Sequence, residues 1–305
     1  MSEIILLGYG NQGRAWALNL RDSGWKVTIA GRGPAEGGKG IAKARSDGFP
    51  TLGLAEIGAL SSVPLAVLLP DHEIPAVLAK YFADPKRAPR AFLFAHGFSV
   101  TYGGASFREG DDVVLVAPKG IGVRLRELYL QGSGVMGVLG VEQDGSGQAW
   151  SLAESVGGAL GCGRVGMIKS SFREETNADL LSEQAILCGI LPRLVAYTAD
   201  FLARKGIDPR IANYECLQET NLIADMMARK GVLGMYADVS PTARFGGLRA
   251  AERLLPDDQL EIGLEALWQD IVNGKFAHEF EKEVAEGQPF TQKTLADFPG
   301  AKESL

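Results

Sequence analysis

Short apolar runs recur along the first 170 residues of the chain, with amphipathic stretches between several of them. Each run is rich in aliphatic and β-branched residues and closes with Gly, Pro or a polar residue, which is typical of strands covered on both faces. The alternation predicts an α/β fold with a doubly wound parallel sheet of the Rossmann type. The runs expected to form strands are 4–8, 26–31, 65–70, 91–97, 113–120, 135–141 and 164–171.

The pattern changes at about residue 172, where strand-like runs stop and long helical periods begin. Apolar residues then recur with helical spacing over 176–205, 208–231 and 258–285. We therefore place a domain boundary near residue 170. It separates a Rossmann-like domain at 1–170 from an all-helical domain at 171–305.

Composition narrows the class of partner. The chain has 305 residues, 46% of them hydrophobic and 22% charged, with a net charge of −6 and no basic run, which argues against nucleic acid and anionic membranes. No apolar stretch approaches the ~20 residues that span a bilayer, and no basic segment precedes the first strand. Three widely spaced cysteines indicate free thiols in a reducing cytoplasm. These features predict a cytoplasmic protein with a small-molecule partner.

A glycine-rich turn follows the first predicted strand and precedes a helix. The spacing Gly-x-Gly-x-x-Gly lets the backbone approach a pyrophosphate, which rests on the helix N-terminus. The alternative is a plain strand–helix turn, but the position within a βαβ pattern favours dinucleotide binding. The residues assigned to the cofactor here are Gly8, Tyr9, Gly10, Asn11, Gln12 and Gly13.

The end of the second strand bears on the choice of cofactor. An acid at this position binds the ribose 2′-hydroxyl of NAD, whereas a basic residue accepts the 2′-phosphate of NADP. Arg32 follows the strand and Lys39 is close by, so the sequence favours NADPH over NADH. Glu36 in the same loop opposes this interpretation, and a solvated loop charge is the alternative for Arg32.

Two pairs of acids interrupt the apolar helical half. Asp179 and Glu183 are four residues apart, as are Glu215 and Glu219, so each pair lies on one side of its helix. Either pair alone fits a solvated helix face, but we expect these segments to be buried, where four carboxylates need positive charge nearby. Two Mg²⁺ ions suit an all-oxygen set of ligands.

Polar residues also follow two predicted strands. His96 and Lys119 come where the carboxyl ends of strands line the ligand crevice of a doubly wound sheet. A packed histidine and a surface lysine are the alternatives. In the helical half, Ser240 offers a hydroxyl, and a helix cap or turn is its alternative because Ser-Pro favours turns.

Seven motifs together resemble ketol-acid reductoisomerase in its short form, over essentially the whole chain. They are "GYGNQGRAWALNLRDSG", "LLPD", "AHGF", "VAPKG", "EETNADLLSEQAILCG", "YECLQE" and "SPTARFG". The resemblance implies alkyl migration in a 2-acetolactate-type 2-hydroxy-2-acyl acid, followed by NADPH reduction to a 2,3-dihydroxy acid, with two Mg²⁺ ions as Lewis acids.

The same resemblance implies roles for the site residues. Asp179 would bridge the metals, Glu183 would bind one, and Glu215 would belong to the shell of the other. Substrate contacts would come from Glu219 and Ser240, with Lys119 against the acids and His96 near the nicotinamide. The partner subunit would supply Glu215, Glu219 and Ser240, so a homodimer or a higher homo-oligomer with a shared active site is expected.

Several motifs depart from the family pattern. This chain has "GNQGRAWA" where "GSQGHAHA" is usual, Ile121-Gly122-Val123 where Pro-Gly-His is usual, and Gly40 near a usual Ser. In the second acid motif, Gln218 and Asn221 replace His and Lys. None of these is a proposed metal ligand; they bear on cofactor preference and substrate.

Three alternatives follow from the sequence. One is a specialised relative acting on another keto or hydroxy acid. A second is a metal-free dehydrogenase of the β-hydroxyacid type, which also joins a Rossmann domain to a helical one but has no use for four acids. A third is a non-catalytic paralogue that binds NADP.

Overall fold

A computed structural model of the chain describes residues 2–33, 38–59, 63–84 and 90–299. The chain divides into two compact units, Met1–Thr176 and Asn177–Leu305. The functions assigned above to the two domains stay predictions.

The N-terminal unit contains an eight-stranded sheet in the order β3-β2-β1-β4-β5-β6-β7-β8. This order, with strands added outward on both sides of β1, is that of a doubly wound fold. The strands are β1 (Glu3–Leu7), β2 (Lys26–Gly31), β3 (Thr51–Gly53), β4 (Leu65–Val67), β5 (Ala91–Phe94), β6 (Asp112–Pro118), β7 (Gly137–Asp144) and β8 (Met167–Ser170).

Two details of the sheet differ from the prediction. One pair departs from the parallel arrangement of the predicted sheet, because β6 and β7 are antiparallel. The chain re-enters the sheet at Gly137 beside Pro118, at the end where β6 stops, so β7 has to run back. The sequence also missed β3, whose three residues are too few to show a period of two.

Helices cover both faces of the sheet because successive strand residues point to opposite sides. Within β1, Ile4 and Leu6 belong to one core and Ile5 and Leu7 to the other. The first core includes buried residues of α1 (Asn11–Asp22), α2 (Gly40–Ser46), α5 (Gly122–Leu130) and α6 (Ala149–Leu160), and the second those of α3 (Ile74–Phe82). A short α4 (Phe98–Thr101) follows β5.

Helix α7 (Phe172–Ser182) begins in the first unit and ends in the second. All regular elements described in the second unit are helices. Two π-helical segments, Glu183–Ile190 and Tyr214–Gln218, interrupt the α-helical pattern. The remaining helices are α8 (Leu191–Arg204), α9 (Pro209–Asn213), α10 (Glu219–Asp238), α11 (Pro241–Leu254), α12 (Asp257–Val272), α13 (Lys275–Ala285) and α14 (Pro289–Ala296).

Two glycines interrupt the helical stretches of the second unit. Gly231 has φ of 73° inside α10 and kinks it where the second predicted helix ends. Gly274, with φ of 80°, separates α12 from α13, so the single helix predicted over 258–285 is wrong. Positive φ is open to Gly at no steric cost, and it cannot continue an α-helix.

The expected burial of the first acid segment is wrong for the single chain. Ile186 and Leu187 are each 58% exposed, and further large apolar side chains of the second unit lie at its surface. The helical stretch Phe172–Arg204 is long enough to cross a membrane, and an 18-residue window within it has a mean hydropathy of 1.5, which the count of uninterrupted apolar residues missed. One such helix is weak support for a membrane, since a helix covered by another protein has the same composition.

Candidate active site

The glycine turn occupies the loop between β1 and α1. Gly8 has φ of +107°, and a Cβ there would lie 2.5 Å from the Leu68 carbonyl oxygen. A Cβ on Gly13 would lie 2.3 Å from the Gly8 carbonyl oxygen, whereas one on Gly10 would meet nothing within 4 Å. The first and third glycines therefore serve the tight turn and helix packing, and the second leaves open space for a ligand.

The turn also contacts the loop that follows β6. Gln12 donates from Nε2 to the carbonyl oxygen of Gly120 at 2.9 Å. A Cβ on Gly122, at the start of α5, would lie 2.1 Å from the Asn11 carbonyl oxygen, so only glycine allows this approach. The glycine turn and the strand end that carries Lys119 are thereby held together.

A second anchor of the turn, which the sequence did not indicate, involves Arg14 and Asp47. The Tyr9 hydroxyl donates to Asp47 Oδ2 at 2.7 Å, and Arg14 Nε donates to the same oxygen at 2.7 Å. These donors hold the pKa of Asp47 at about 2, with Arg14 the larger cause and Tyr9 the second. Burial, followed by the bond to Asp47, raises the pKa of the Tyr9 phenol.

We expect Asp47→Asn to destabilise the protein by about 1 kcal/mol at neutral pH, because Arg14 is partly exposed and its ion pair is screened. The pKa of Asp47 is lower in the folded protein than the value of 3.8 expected for the unfolded chain. The ionised carboxylate therefore stabilises the fold above about pH 3.8, and this stabilisation is lost as the pH falls toward about 2. Urea unfolding of the wild type and of Asp47→Asn between pH 7 and pH 2 measures this contribution. The difference between their free energies of unfolding should shrink as the pH falls; a constant difference would contradict the role of the Asp47 carboxylate.

The two basic residues expected at the 2′-phosphate lie on either side of the β2–α2 loop. Lys39 is exposed, immediately before α2. Arg32 is also exposed, but its Nη2 donates to both carboxylate oxygens of Glu73. The loop is described at Arg32, Gly33 and Gly38 onward, and Glu36 lies outside the described residues. Arg32 is therefore more than a solvated loop charge, because it has a specific acidic partner.

The ends of β5 and β6 bring His96 and Lys119 to the same acid. Lys119 Nζ lies 2.5 Å from Glu175 Oε1 on α7, and a ring nitrogen of His96 and a Glu175 carboxylate oxygen lie within 4.8 Å of each other. The Glu175 side chain is 1% exposed, and Lys119 is 35% exposed. Oε2 of Glu175 is buried without a hydrogen-bond partner among the described residues.

Glu175 is a candidate site residue that the sequence pattern did not single out. It stands in the quoted motif "EETNADLL", four residues before Asp179 on α7. That spacing extends the stripe of acids by one turn and could have indicated it. A buried carboxylate with one cationic partner and one orphaned oxygen is a feature of functional sites rather than of a solvated helix face.

Three of the four candidate site acids of the second unit lie in or next to its π-helical segments, and the fourth, Asp179, precedes one of them on α7. Glu183 is the first residue of one segment, Glu215 lies in the other, and Glu219 directly follows it. Asp179 and Glu219 are half-buried, whereas Glu183 and Glu215 are exposed in the single chain. The π-helix is rare and occurs frequently at functional sites, because its wider turn reorients neighbouring side chains.

Ser240 caps a helix, as its alternative interpretation predicted. Its Oγ accepts a hydrogen bond from the Ala243 backbone N–H at 3.1 Å, at the start of α11. This bond occupies an oxygen lone pair, so the hydroxyl proton stays a donor. Capping and contact with an anion are therefore compatible.

A doubly wound domain with this glycine turn, joined to an acid-bearing helical unit, defines the chain as a nicotinamide-dependent enzyme. The acetohydroxy acid isomeroreductase NADPH-binding domain matches residues 1–166, and the ketol-acid reductoisomerase C-terminal domain matches residues 172–298. The chain belongs to the ketol-acid reductoisomerase family, whose members are oxidoreductases with isomerase activity. This confirms the resemblance, the fold class and the class of enzyme.

Individual proteins similar to this chain are also named as ketol-acid reductoisomerases. The "Ketol-acid reductoisomerase (NADP(+))" of Arthrobacter sp. (strain FB24) is 40% identical over 91% of this chain and 80% of its own length. That of Pseudarthrobacter chlorophenolicus is 38% identical over the same shares. A solved NADH-preferring ketol-acid reductoisomerase from an uncultured archean is 32% identical with a TM-score of 0.90, over 96% of this chain and 88% of its own. The alternative of a metal-free β-hydroxyacid-type dehydrogenase is therefore wrong.

Proposed function

We propose that the chain converts 2-acetolactate-type 2-hydroxy-2-acyl acids to 2,3-dihydroxy acids in two steps, alkyl migration and reduction, in the cytoplasm. The observation that carries this proposal beyond family membership is the buried Glu175, paired with Lys119 and close to His96. Reducing a ketone moves negative charge onto oxygen, and a fixed cation beside acid groups stabilises such charge.

The glycine turn supports a bound dinucleotide. Gly10 faces open space at the N-terminus of α1, where the amides of the first turn suit a pyrophosphate. Arg32 and Lys39 supply positive charge for a 2′-phosphate, and two relatives are named as NADP(+) enzymes. We therefore infer NADPH as the cofactor in preference to NADH.

The donor set on the helices suits two Mg²⁺ ions. Asp179, Glu183 and Glu215 offer only carboxylate oxygens, the ligands that Mg²⁺ prefers, and the three cysteines are free thiols as predicted. The bound dinucleotide supplies a hydride, and the bound ions supply Lewis acidity. Asp179 would contact both ions, with Glu183 on one and Glu215 on the other.

The remaining residues bind and orient the substrate in this proposal. Lys119 keeps Glu175 paired and places positive charge near the reacting oxygens. His96, within reach of Glu175, would face the nicotinamide and the substrate. The carboxylate of Glu219 would accept a hydrogen bond from the substrate hydroxyl, and the Ser240 hydroxyl would donate to the substrate carboxylate.

A second copy of the chain is the proposed cover for the apolar surface of the second unit. Ile186, Leu187, Leu217, Leu222 and Leu233 are all at least half exposed, which a soluble monomer rarely tolerates. Embedding the stretch Phe172–Arg204 in lipid instead would bury Glu183 at a cost of about 2–3 kcal/mol or more. We therefore propose a homodimer, in which Glu215, Glu219 and Ser240 come from the partner, and neither membrane nor nucleic acid as a partner.

Oxidation of NADPH in the presence of 2-acetolactate tests the reaction. We expect steady oxidation with Mg²⁺ and a drop of at least about 100-fold when the metal is removed by chelation, because the alkyl shift and the ketone reduction both need a Lewis acid. Product analysis should show a 2,3-dihydroxy acid.

Two other outcomes would contradict the proposal. Oxidation that survives chelation would show that the acids do not act through a metal. Tight NADPH binding with no turnover on 2-acetolactate would instead support a specialised relative or a non-catalytic binder. Restoring activity with fresh Mg²⁺ controls for damage by the chelator.

A further inference from the structure

The ion pair of Arg32 and Glu73 lies where the cofactor ribose is expected. Arg32 Nη2 lies 3.0 Å from Oε1 and 2.9 Å from Oε2 of Glu73. The Arg32 side chain is 53% exposed and that of Glu73 is 27% exposed. The acid is thus the less exposed partner, and both of its oxygens accept from the guanidinium.

Sheet topology explains how these two residues meet. Arg32 directly follows β2, and Glu73 ends the turn between β4 and α3. Strands β2 and β4 both pair with β1 in parallel, one on each side. Their carboxyl ends therefore flank Gly8 and the glycine turn, at the edge where a doubly wound sheet binds its ligand.

Few other groups in this loop could bind a phosphate. Residues 31–42 contain no Ser or Thr, so Arg32 and Lys39 are the side-chain donors that the loop offers. A Cβ on Gly38 would lie 1.9 Å from the Arg32 carbonyl oxygen, so no larger residue fits there without moving the backbone. Recognition of a 2′-phosphate depends heavily on Arg32.

We propose that Glu73 is a specificity-determining residue that weakens the preference for NADPH over NADH. This inference rests on the proposed binding of a nicotinamide dinucleotide at the glycine turn. Glu73 competes with the 2′-phosphate for Arg32, and its negative charge repels a phosphate held beside it. The N-terminus of α3, which Glu73 immediately precedes, favours a negative charge at this place.

The same carboxylate suits NADH. In dinucleotide-binding domains an acid near the ribose accepts a hydrogen bond from the 2′-hydroxyl. The end of β2 has Gly31 and Arg32 in place of such an acid. Glu73 provides the acid from the other side of β1, so one residue both opposes the phosphate and accepts from the hydroxyl.

Binding of two nucleotide fragments tests the role without requiring turnover. The dissociation constants of adenosine 2′,5′-bisphosphate and of 5′-AMP are measured by titration calorimetry for the wild type and Glu73→Gln. We expect the variant to bind the bisphosphate about five- to tenfold more tightly, with 5′-AMP unchanged or weakened, since ~1 kcal/mol corresponds to about fivefold. The ratio of KM for NADPH to KM for NADH should fall accordingly.

A double-mutant cycle separates competition for Arg32 from a general charge effect. In an Arg32→Gln background, Glu73→Gln should improve bisphosphate binding by less than about twofold. Glu109→Gln removes an exposed acid just before β6, at the opposite edge of the sheet, and serves as the matched control. It should leave both dissociation constants unchanged.

The outcomes distinguish the two levels of the proposal. A bisphosphate-to-AMP ratio in Glu73→Gln within twofold of the wild type, with unaltered thermal unfolding, would overturn the role of Glu73 and leave the cofactor site standing. Failure of the wild type to bind either fragment or either dinucleotide would overturn the cofactor assignment itself, and the role of Glu73 with it.

Discussion

Asp179→Asn is expected to lower the Mg²⁺-dependent oxidation of NADPH with 2-acetolactate by about a thousandfold or more. A neutral amide cannot neutralise and bridge two dications as a carboxylate does, so the proposed site would lose its shared ligand. Asp179 is half-buried on α7, one turn after Glu175. The substitution keeps the shape of the side chain, so the melting temperature should be unchanged. The dissociation constant for NADPH should stay within about twofold of the wild type.

Two further variants make this result specific. Asp258→Asn changes an exposed acid at the start of α12 and should retain full activity. Glu219→Gln should be inactive alone. If Glu219 acts in the partner's site, mixed dimers of the Asp179 and Glu219 variants contain one intact site, and random mixing should restore about a quarter of wild-type activity. No recovery would place all the acids of a site in one chain, and near-normal activity of Asp179→Asn would refute the metal assignment.

Lys119→Met is expected to reduce both turnover and stability. Removing the cation leaves the buried Glu175 carboxylate without its partner, which we expect to cost about 2–3 kcal/mol, below the range for fully buried pairs because Lys119 is partly exposed. Turnover should fall by about 100-fold or more, since a fixed charge near the reacting oxygens is lost. Urea unfolding and steady-state kinetics measure the two effects.

A second substitution separates the two roles of Lys119. Glu175→Gln in the Lys119→Met background removes the unpaired charge, so much of the lost stability should return while activity stays low. Lys282→Met alters an exposed lysine on α13 and should change neither quantity. If activity returned together with stability, Lys119 would be a structural partner of Glu175 and no more.

Patterns within short stretches were enough to single out several parts of the candidate site. The Gly8–Gly13 turn, Asp179 with Glu183, and Glu215 with Glu219 each lie within a few residues, where strand and helix periods set which side chains share a face. The π-helical geometry at Glu183 and Glu215 could not be anticipated in this way. It depends on hydrogen bonds five residues apart that no side-chain pattern encodes.

Exposure was the least predictable property of the helical half. The apolar residues between Asp179 and Ile190 have the pattern of a buried helix, yet Ile186 and Leu187 are exposed in the single chain. A pattern of apolar residues indicates that a helix face will be covered. It does not indicate whether the cover comes from the same chain or from another molecule. The proposed dimer accounts for both the pattern and the exposure.

The sequence by itself determined the class of fold, the cofactor turn and the positions of the acids, because each depends on local periodicity and turn chemistry. Only the tertiary structure decided which distant residues meet. Lys119 and Glu175 are 56 positions apart, Arg32 and Glu73 are 41, and Tyr9 and Asp47 are 38. Arg32 meets Glu73 because the order of strands brings the ends of β2 and β4 to one edge of the sheet, whereas Tyr9 and Lys119 meet residues at the end of α2 and within α7. Strand order and helix packing are set over the whole domain rather than by any local stretch.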